Sequence, residues 1–151
     1  MSVYTSVSRP ELERWLLAYA LGPLVDMQGI AAGIENTNYF VDTERGRYVL
    51  TLFEKLQSAE LPFYLGLMTH LSAAGIPCPR PIPNRAGAVL GTLCGKPATL
   101  VSRLSGRDVD VPSVDHCAAV GTMLARMHLA GQHYPQTMPN PRGMPWWRAA
   151  A

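Results

Sequence analysis

No run of five or more Lys and Arg occurs in these 151 residues, and the formal net charge is only +2. The electrostatic footprint of a nucleic-acid binder is therefore missing. No apolar run approaches the ~20 residues that cross a bilayer. The opening "MSVYTSVSRPELERW" carries neither a basic stretch nor an apolar one, so no signal peptide is expected. Cysteine is scarce. Cys78, Cys94 and Cys117 are widely spaced without C-x-x-C, which reads as reduced thiols and not as a disulfide framework. A cytoplasmic protein with no nucleic-acid or membrane partner is the expectation, and oligomeric state is not readable. Charge is also low, at 16% against 48% hydrophobic residues. That balance suits one modest folded domain and argues against disorder.

Several signatures of chemistry are absent as well. A Walker A loop needs four residues between its glycines, then Lys and Ser or Thr. "GTLCGKP" has three between, and Pro97 stands where the hydroxyl should be. No G-x-G-x-x-G precedes a helix, so a dinucleotide fingerprint is lacking. No Ser has the G-x-S-x-G setting of a hydrolase nucleophile. His116, His128 and His133 with Cys117 do not have zinc-site spacing. Asp108 and Asp110 could share a cation if a loop folded them together. An isolated acidic pair is more often a solvated link.

What is present is an ordered set of short elements. Residues 8–21 read as a helix: Ser8 and Glu11 make a capping box, Pro10 sits in the first turn, and Leu12, Trp15, Leu16 and Tyr19 share a face. Strands follow at 25–30, 39–42 and 47–54, the last two around the turn "TERG". In the last, Tyr48, Leu50 and Leu52 face one way, and Val49, Thr51 and Phe53 the other. Both sets are mostly apolar, which predicts a central strand covered on both sides. A second helix spans 62–74, with Phe63, Leu67, Leu71 and Ala74 on one face. "GIPCPRPIPNRAG" is an extended connector, because alternating prolines forbid helix. A hairpin at 88–92 and 98–103 turns around "CGKP". After the link "LSGRDVDVP", a third helix runs over 114–130 with Ser113 as its N-cap. This order predicts an α+β fold.

The stretch "GIAAGIENTN" raises the functional question. Gly29 and Gly33 can turn backbone N–H groups toward phosphate oxygens, since glycine accepts positive φ and has no Cβ in the way. Asn36 and Asn38 can add amide donors. The same glycines can equally serve only to turn the chain, and G-x-x-x-G alone does not decide.

The blocks taken together say more. "GIENTNYFV", "RYVLTLFE", "LPFYLGLMTHLSAAGIPCPRPI", "GKPATLVSRLSG" and "HCAAVGTMLARMHLAG" occur in this order. They resemble the front half of bacterial homoserine kinases, in the superfamily of aminoglycoside phosphotransferases and choline kinases. The resemblance implies a protein-kinase-like N-lobe over residues 1–104, a five-stranded antiparallel sheet with flanking helices. Residues 105–151 would hold the link beyond the hinge, the first C-lobe helix and a truncated tail. Such enzymes use ATP and Mg²⁺ to phosphorylate the side-chain hydroxyl of L-homoserine, a step toward threonine. On that pattern the loop from Gly29 to Asn38 would cover the ATP phosphates, and Val49 would floor the adenine. The Ser102 carbonyl and Leu104 N–H would hold the adenine edge.

Two departures stand out. Thr51 occupies the slot where most relatives carry Lys or Arg for the phosphates. Charge would then have to come from Mg²⁺ or Lys55. The following helix has no acid inside it, and Glu60 lies just before its start. None of the four histidines begins H-x-D, so no catalytic base or metal ligand is expected here. The chain reads as the N-terminal portion of a longer kinase, inactive alone, with the metal ligands in the missing C-lobe. The alternatives are a related kinase acting on an aminoglycoside, choline or a sugar amine, or a non-catalytic binding module with Trp146 and Trp147 as a contact patch.

Overall fold

Ser8 and Glu11 close on each other as their spacing predicts. The Glu11 carboxylate accepts from the Ser8 N–H at 2.9 Å and from its hydroxyl, and Pro10 lies in the first turn of helix α1 (Arg9–Leu16). The computed structural model describes residues 3–150. In it α1 stops at Leu16, short of the expected residue 21. The carbonyls of Ala18, Tyr19 and Ala20 accept from the Arg85 N–H, Arg85 Nε and the Arg45 guanidinium at 2.8, 3.2 and 3.2 Å. These partners hold residues 17–21 off the helical path while Tyr19 stays buried.

Five strands then form one antiparallel sheet in the order β1-β2-β3-β5-β4. They are β1 (Leu24–Gly29), β2 (Asn36–Thr43), β3 (Gly46–Phe53), β4 (Gly91–Leu93) and β5 (Lys96–Ser102). The α+β class and the five-stranded sheet agree with the sequence reading. β3 is central, as expected, but its two faces differ. Tyr48, Leu50 and Leu52 are buried in one core with Leu12 and Leu16 of α1. Val49, Thr51 and Phe53 are only half-buried. One face of the sheet is closed by α1, and the other is partly open.

Two strand boundaries move for identifiable reasons. β2 starts at Asn36, not at residue 39, because it pairs with β3 over its whole length. β4 starts at Gly91 because Asn84 holds a tight turn before it. Its Oδ1 accepts from the N–H groups of Ala86 and Ala88 at 2.9 and 3.0 Å. The Pro-rich connector is extended and lies along β5, with Ile82 N–H donating to Leu100 O at 2.8 Å.

Helix α2 (Leu61–Ala73) buries Leu61, Leu65 and Leu71, so of the predicted stripe of Phe63, Leu67, Leu71 and Ala74 only Leu71 is buried. Phe63 turns instead toward Tyr134, with ring centroids 5.5 Å apart. The Tyr134 hydroxyl donates to Phe63 O at 3.0 Å, and His70 Nε2 lies 2.9 Å from Ala130 O. α2 thus packs against helix α3 (Val114–Gly131) and the residues just after it. Ser113 caps α3 as predicted, its Oγ accepting from His116 N–H at 3.3 Å while His116 Nδ1 accepts from Ser113 N–H at 3.0 Å. No residue of α3 is buried, and Val114, Val120 and Leu129 are exposed. A last helix, α4 (Met144–Ala150), carries Trp146 and Trp147 edge to face.

A polar knot fastens the N-terminal arm to the sheet. Thr37 Oγ1, fully buried, accepts from the N–H groups of Tyr4 and Thr5 at 3.0 Å each. Thr37 and Thr5 hydroxyls both donate to Glu54 Oε1 at 2.7 Å, and Lys96 Nζ is 3.2 Å from Glu54 Oε2. Burial works to raise the Glu54 pKa, but the bonds from Thr37, Thr5 and Lys96 outweigh it and hold the carboxyl below its ordinary 4.5. The unfolded chain therefore takes up this proton more readily than the folded one. The contribution is complete above pH 4.5 and is lost as the pH falls below it. Glu54→Gln should lower stability by about 1–2 kcal/mol at neutral pH. It should also flatten the acid limb of a denaturation-against-pH curve. Some slope remains, because the Ser8 hydrogen bonds hold Glu11 low in the same window. An unchanged acid limb in the variant would remove Glu54 from this account.

Candidate functional site

Register places the half-buried face of the sheet in rows. Asn38 is opposite Thr51 and Thr51 opposite Thr99; Phe40 is opposite Val49 and Val49 opposite Val101. Cross-strand partners share a face, so Asn38, Thr51, Phe40 and Val49 stand side by side. Thr51 Oγ1 donates to Asn38 Oδ1 at 2.8 Å. The Thr51 hydroxyl is thus engaged by a neighbouring amide, and it brings no charge.

The loop at residues 30–35 overhangs one end of this face. Ile30 N–H donates to Asn38 O at 2.9 Å, and the Tyr4 hydroxyl donates to Ile34 O at 3.0 Å, so both ends of the loop are tied. Gly33 has φ +134°, a conformation side chains rarely adopt, and a Cβ there would meet Asn38 Nδ2 at 3.6 Å. Gly33, Asn36, Asn38 and Arg142 line a pocket of about 430 Å³. Glu35 lines it too and pairs with Arg142, so the setting is rich in donors without being net cationic; its amides and guanidinium suit phosphate oxygens.

Gly29 does not join this group. It is the last residue of β1, and a Cβ on it would lie 3.0 Å from Val3 Cγ2 and 3.7 Å from Tyr39. A side chain there would press on Val3 of the N-terminal arm. Asn36 and Asn38, expected in the loop, are strand residues that reach the pocket from β2.

At the far end of the face, β5 gives way at Ser102 to a stretch without regular structure that runs to α3. Ser102 N–H donates to Arg80 O at 2.9 Å and Arg103 N–H to Arg47 O at 3.2 Å. Leu104 is half exposed, and its N–H has no backbone partner among the described residues. Arg47, Arg103, Leu104, Ser105 and Gly106 line a small pocket of about 260 Å³. The Arg103 guanidinium lies 3.8 Å from the centre of the Phe40 ring, a cation–π contact, and 3.8 Å from Asp42 Oδ1.

Three participants escaped the sequence reading. Phe40 was signalled by alternation, since it lies two residues beyond Asn38 on the same face. Arg103 and Arg142 had no local signal. Arg142 reaches the loop through an ion pair with Glu35, across 107 residues of chain. Among the described residues, no three of His, Cys, Asp and Glu come together as a metal site.

The chain is similar to several proteins of known name. The chain is 58% identical over 151 residues to a homoserine kinase of Methylobacillus flagellatus, covering all of this chain and 47% of the relative. It is 54% identical over 148 residues to one of Burkholderia multivorans, covering 98% and 45%. A third, from Cupriavidus necator, is 55% identical over 152 residues, covering 98% and 46%. The chain therefore spans just under half the length of these relatives. Among solved structures, a spectinomycin phosphotransferase in complex with ADP and spectinomycin superposes with a TM-score of 0.66 at 15% identity, over 89% of this chain and 40% of that one. At that identity the likeness is one of fold alone: the sheet and helices described above are those of a phosphotransferase of the aminoglycoside type. The model of the phosphotransferase enzyme family matches residues 26–151, most of the chain, and the chain belongs to that family.

Proposed function

We propose that this chain supplies the nucleotide-binding portion of a homoserine kinase, which transfers the γ-phosphoryl group of ATP to the side-chain hydroxyl of L-homoserine on the way to threonine. The observation that carries the proposal is identity above 50% to homoserine kinases along essentially the whole chain. The site is consistent with it. Gly33, Asn36 and Asn38 would face the phosphates, and Val49 and Thr51 would face the nucleoside across the open sheet surface. Ser102 O and Leu104 N–H would meet the adenine edge, and residues 1–104 would act as the lobe that holds ATP. Arg142 joins Mg²⁺ and Lys55 as a source of positive charge for the phosphates in this scheme, since it lines the pocket with Gly33 and Asn38. What these residues do is bind and orient. No H-x-D in the sequence offers a base. No described helix is long and apolar enough to cross a membrane; a cytoplasmic setting is part of the proposal.

A chimera tests it. The present chain is joined to the remaining C-terminal part of the Methylobacillus flagellatus relative, and ADP release is followed with each acceptor in turn. Release that depends on L-homoserine is expected from the chimera, and none from the 151-residue chain alone. Turnover with choline or spectinomycin but not with L-homoserine would overturn the acceptor assignment.

A further inference from the structure

Beside the phosphate pocket lies a larger one, about 640 Å³, between the loop, the start of α2 and residues 138–146. Glu35, Asn36, Lys55, Asn140, Arg142 and Trp146 line it, together with aromatic and proline side chains. Its charges are unusual for so open a surface. Glu35 and Arg142 form an ion pair, while Lys55 has no ion-pair partner among the described residues. The Arg142 guanidinium is presented from a fixed turn. Asn140 Oδ1 accepts from Arg142 N–H at 2.9 Å, Gly143 N–H donates to Asn140 O at 3.2 Å, and the guanidinium lies 5.8 Å from the Trp146 ring centre.

We infer that this pocket is a subsite for a small zwitterion, an α-amino acid, with its carboxylate on Arg142 and Lys55 and its ammonium on Glu35. The inference rests on the kinase reading above and adds to it the residues that take the acceptor. The chemistry favours it in three ways. The Glu35–Arg142 pair is 48% and 60% exposed, so it is weak and opens at little cost. A zwitterion replaces that single pair by two charge-matched contacts, and the planar guanidinium suits a carboxylate. Finally, the pocket shares Glu35, Asn36 and Arg142 with the phosphate pocket. A hydroxyl on the far end of the amino acid then lies next to the phosphates. The same charges work against a polycationic acceptor, which meets two cations and one carboxylate. An acceptor lacking a carboxylate leaves both cations unanswered.

The experiment measures binding by calorimetry on the 151-residue chain with three probes: L-homoserine, its analogue without the carboxylate (aminopropanol) and its analogue without the amine (hydroxybutyrate). ADP is titrated separately. L-Homoserine should bind, with each truncated probe weaker by about tenfold or more, the effect of losing one charge-assisted contact. Arg142→Ala and Glu35→Gln should each weaken L-homoserine by about tenfold; Glu35→Gln should change ADP by less than about threefold, whereas Arg142→Ala should weaken ADP as well, since its guanidinium also lines the phosphate pocket. Both side chains are exposed, so the variants should melt with the parent. Lys55→Ala gives a third, independent arm with a smaller loss. The inference is overturned if L-homoserine fails to saturate, if Glu35→Gln leaves it unchanged, or if Arg142→Ala weakens ADP alone, which would make Arg142 a phosphate ligand only. A chain that binds L-homoserine but not ADP would count against the nucleotide reading and leave this subsite standing.

Discussion

Leu50→Ala should destabilise the protein by about 2–5 kcal/mol, lowering the melting temperature by roughly 5–15 °C. Leu50 sits at the middle of the central strand, 0% exposed, between Tyr39 of β2 and Leu100 of β5. It belongs to the core that also holds Leu12 and Leu16. Strands on both sides fix the backbone around it, so the space left by the lost methyl groups cannot collapse. Its neighbour offers an internal control. Val49 is on the opposite, half-open face, and Val49→Ala should cost only about 1 kcal/mol. The two variants should part in a second way. Leu50→Ala, where still folded, leaves the surface of the open face in place and should bind ADP with near-parental affinity. Val49→Ala should fold well and bind ADP more weakly. Urea denaturation and a nucleotide titration on each variant read both quantities. Equal stability losses from the two would mean that the sheet is closed on both faces, as the sequence alone had suggested.

That contrast shows how far local pattern reaches. Alternation along 47–54 identified β3 and divided its side chains correctly between faces. It could not say that one face would stay open, because Val49, Thr51 and Phe53 look apolar enough to be covered. The sequence reading puts Asn36 and Asn38 in the loop, as amide donors ahead of a strand that begins at residue 39. The register with β3 and the Thr51–Asn38 hydrogen bond, both long-range, put them in a strand. At Gly29 a Cβ would stand 3.0 Å from Val3 Cγ2, a neighbour 26 positions earlier that no local pattern reveals. The helix stripe on α2 was misjudged for the same kind of reason. Periodicity within α2 could not show that Phe63 and His70 are drawn to Tyr134 and Ala130, 60 or more residues along the chain. Arg142 and Phe40 show the two limits: Phe40 followed from a two-residue step, and Arg142 from nothing nearer than Glu35.

Gly66→Ala should destabilise the protein even though the same change in most helices helps. In an exposed helix interior, alanine is better than glycine by about 1 kcal/mol. Here a Cβ would lie 2.3 Å from the Tyr134 hydroxyl and 3.4 Å from its ring carbon. The hydroxyl would have to leave Phe63 O, and the Phe63–Tyr134 ring contact would open. Overpacking of this kind costs about 1–3 kcal/mol, enough to cancel or exceed the gain in helix propensity. The consequence should extend beyond stability. Tyr134 is the anchor between α2 and the segment that leads to Arg142, so loosening it should loosen the Arg142–Glu35 contact on the loop. Amide exchange should therefore speed up at residues 131–142, and L-homoserine should bind more weakly, although residue 66 touches neither pocket. The double variant with Tyr134→Phe separates the causes. Removing the hydroxyl takes away the 2.3 Å clash and leaves the ring carbon at a tolerable 3.4 Å. It should recover most of the lost stability, less the roughly 0.5–1.5 kcal/mol of the Phe63 hydrogen bond. If Gly66→Ala instead raises stability by its full helix-propensity gain with exchange unchanged, Tyr134 does not dock on α2, and the route by which Arg142 reaches the loop is wrong.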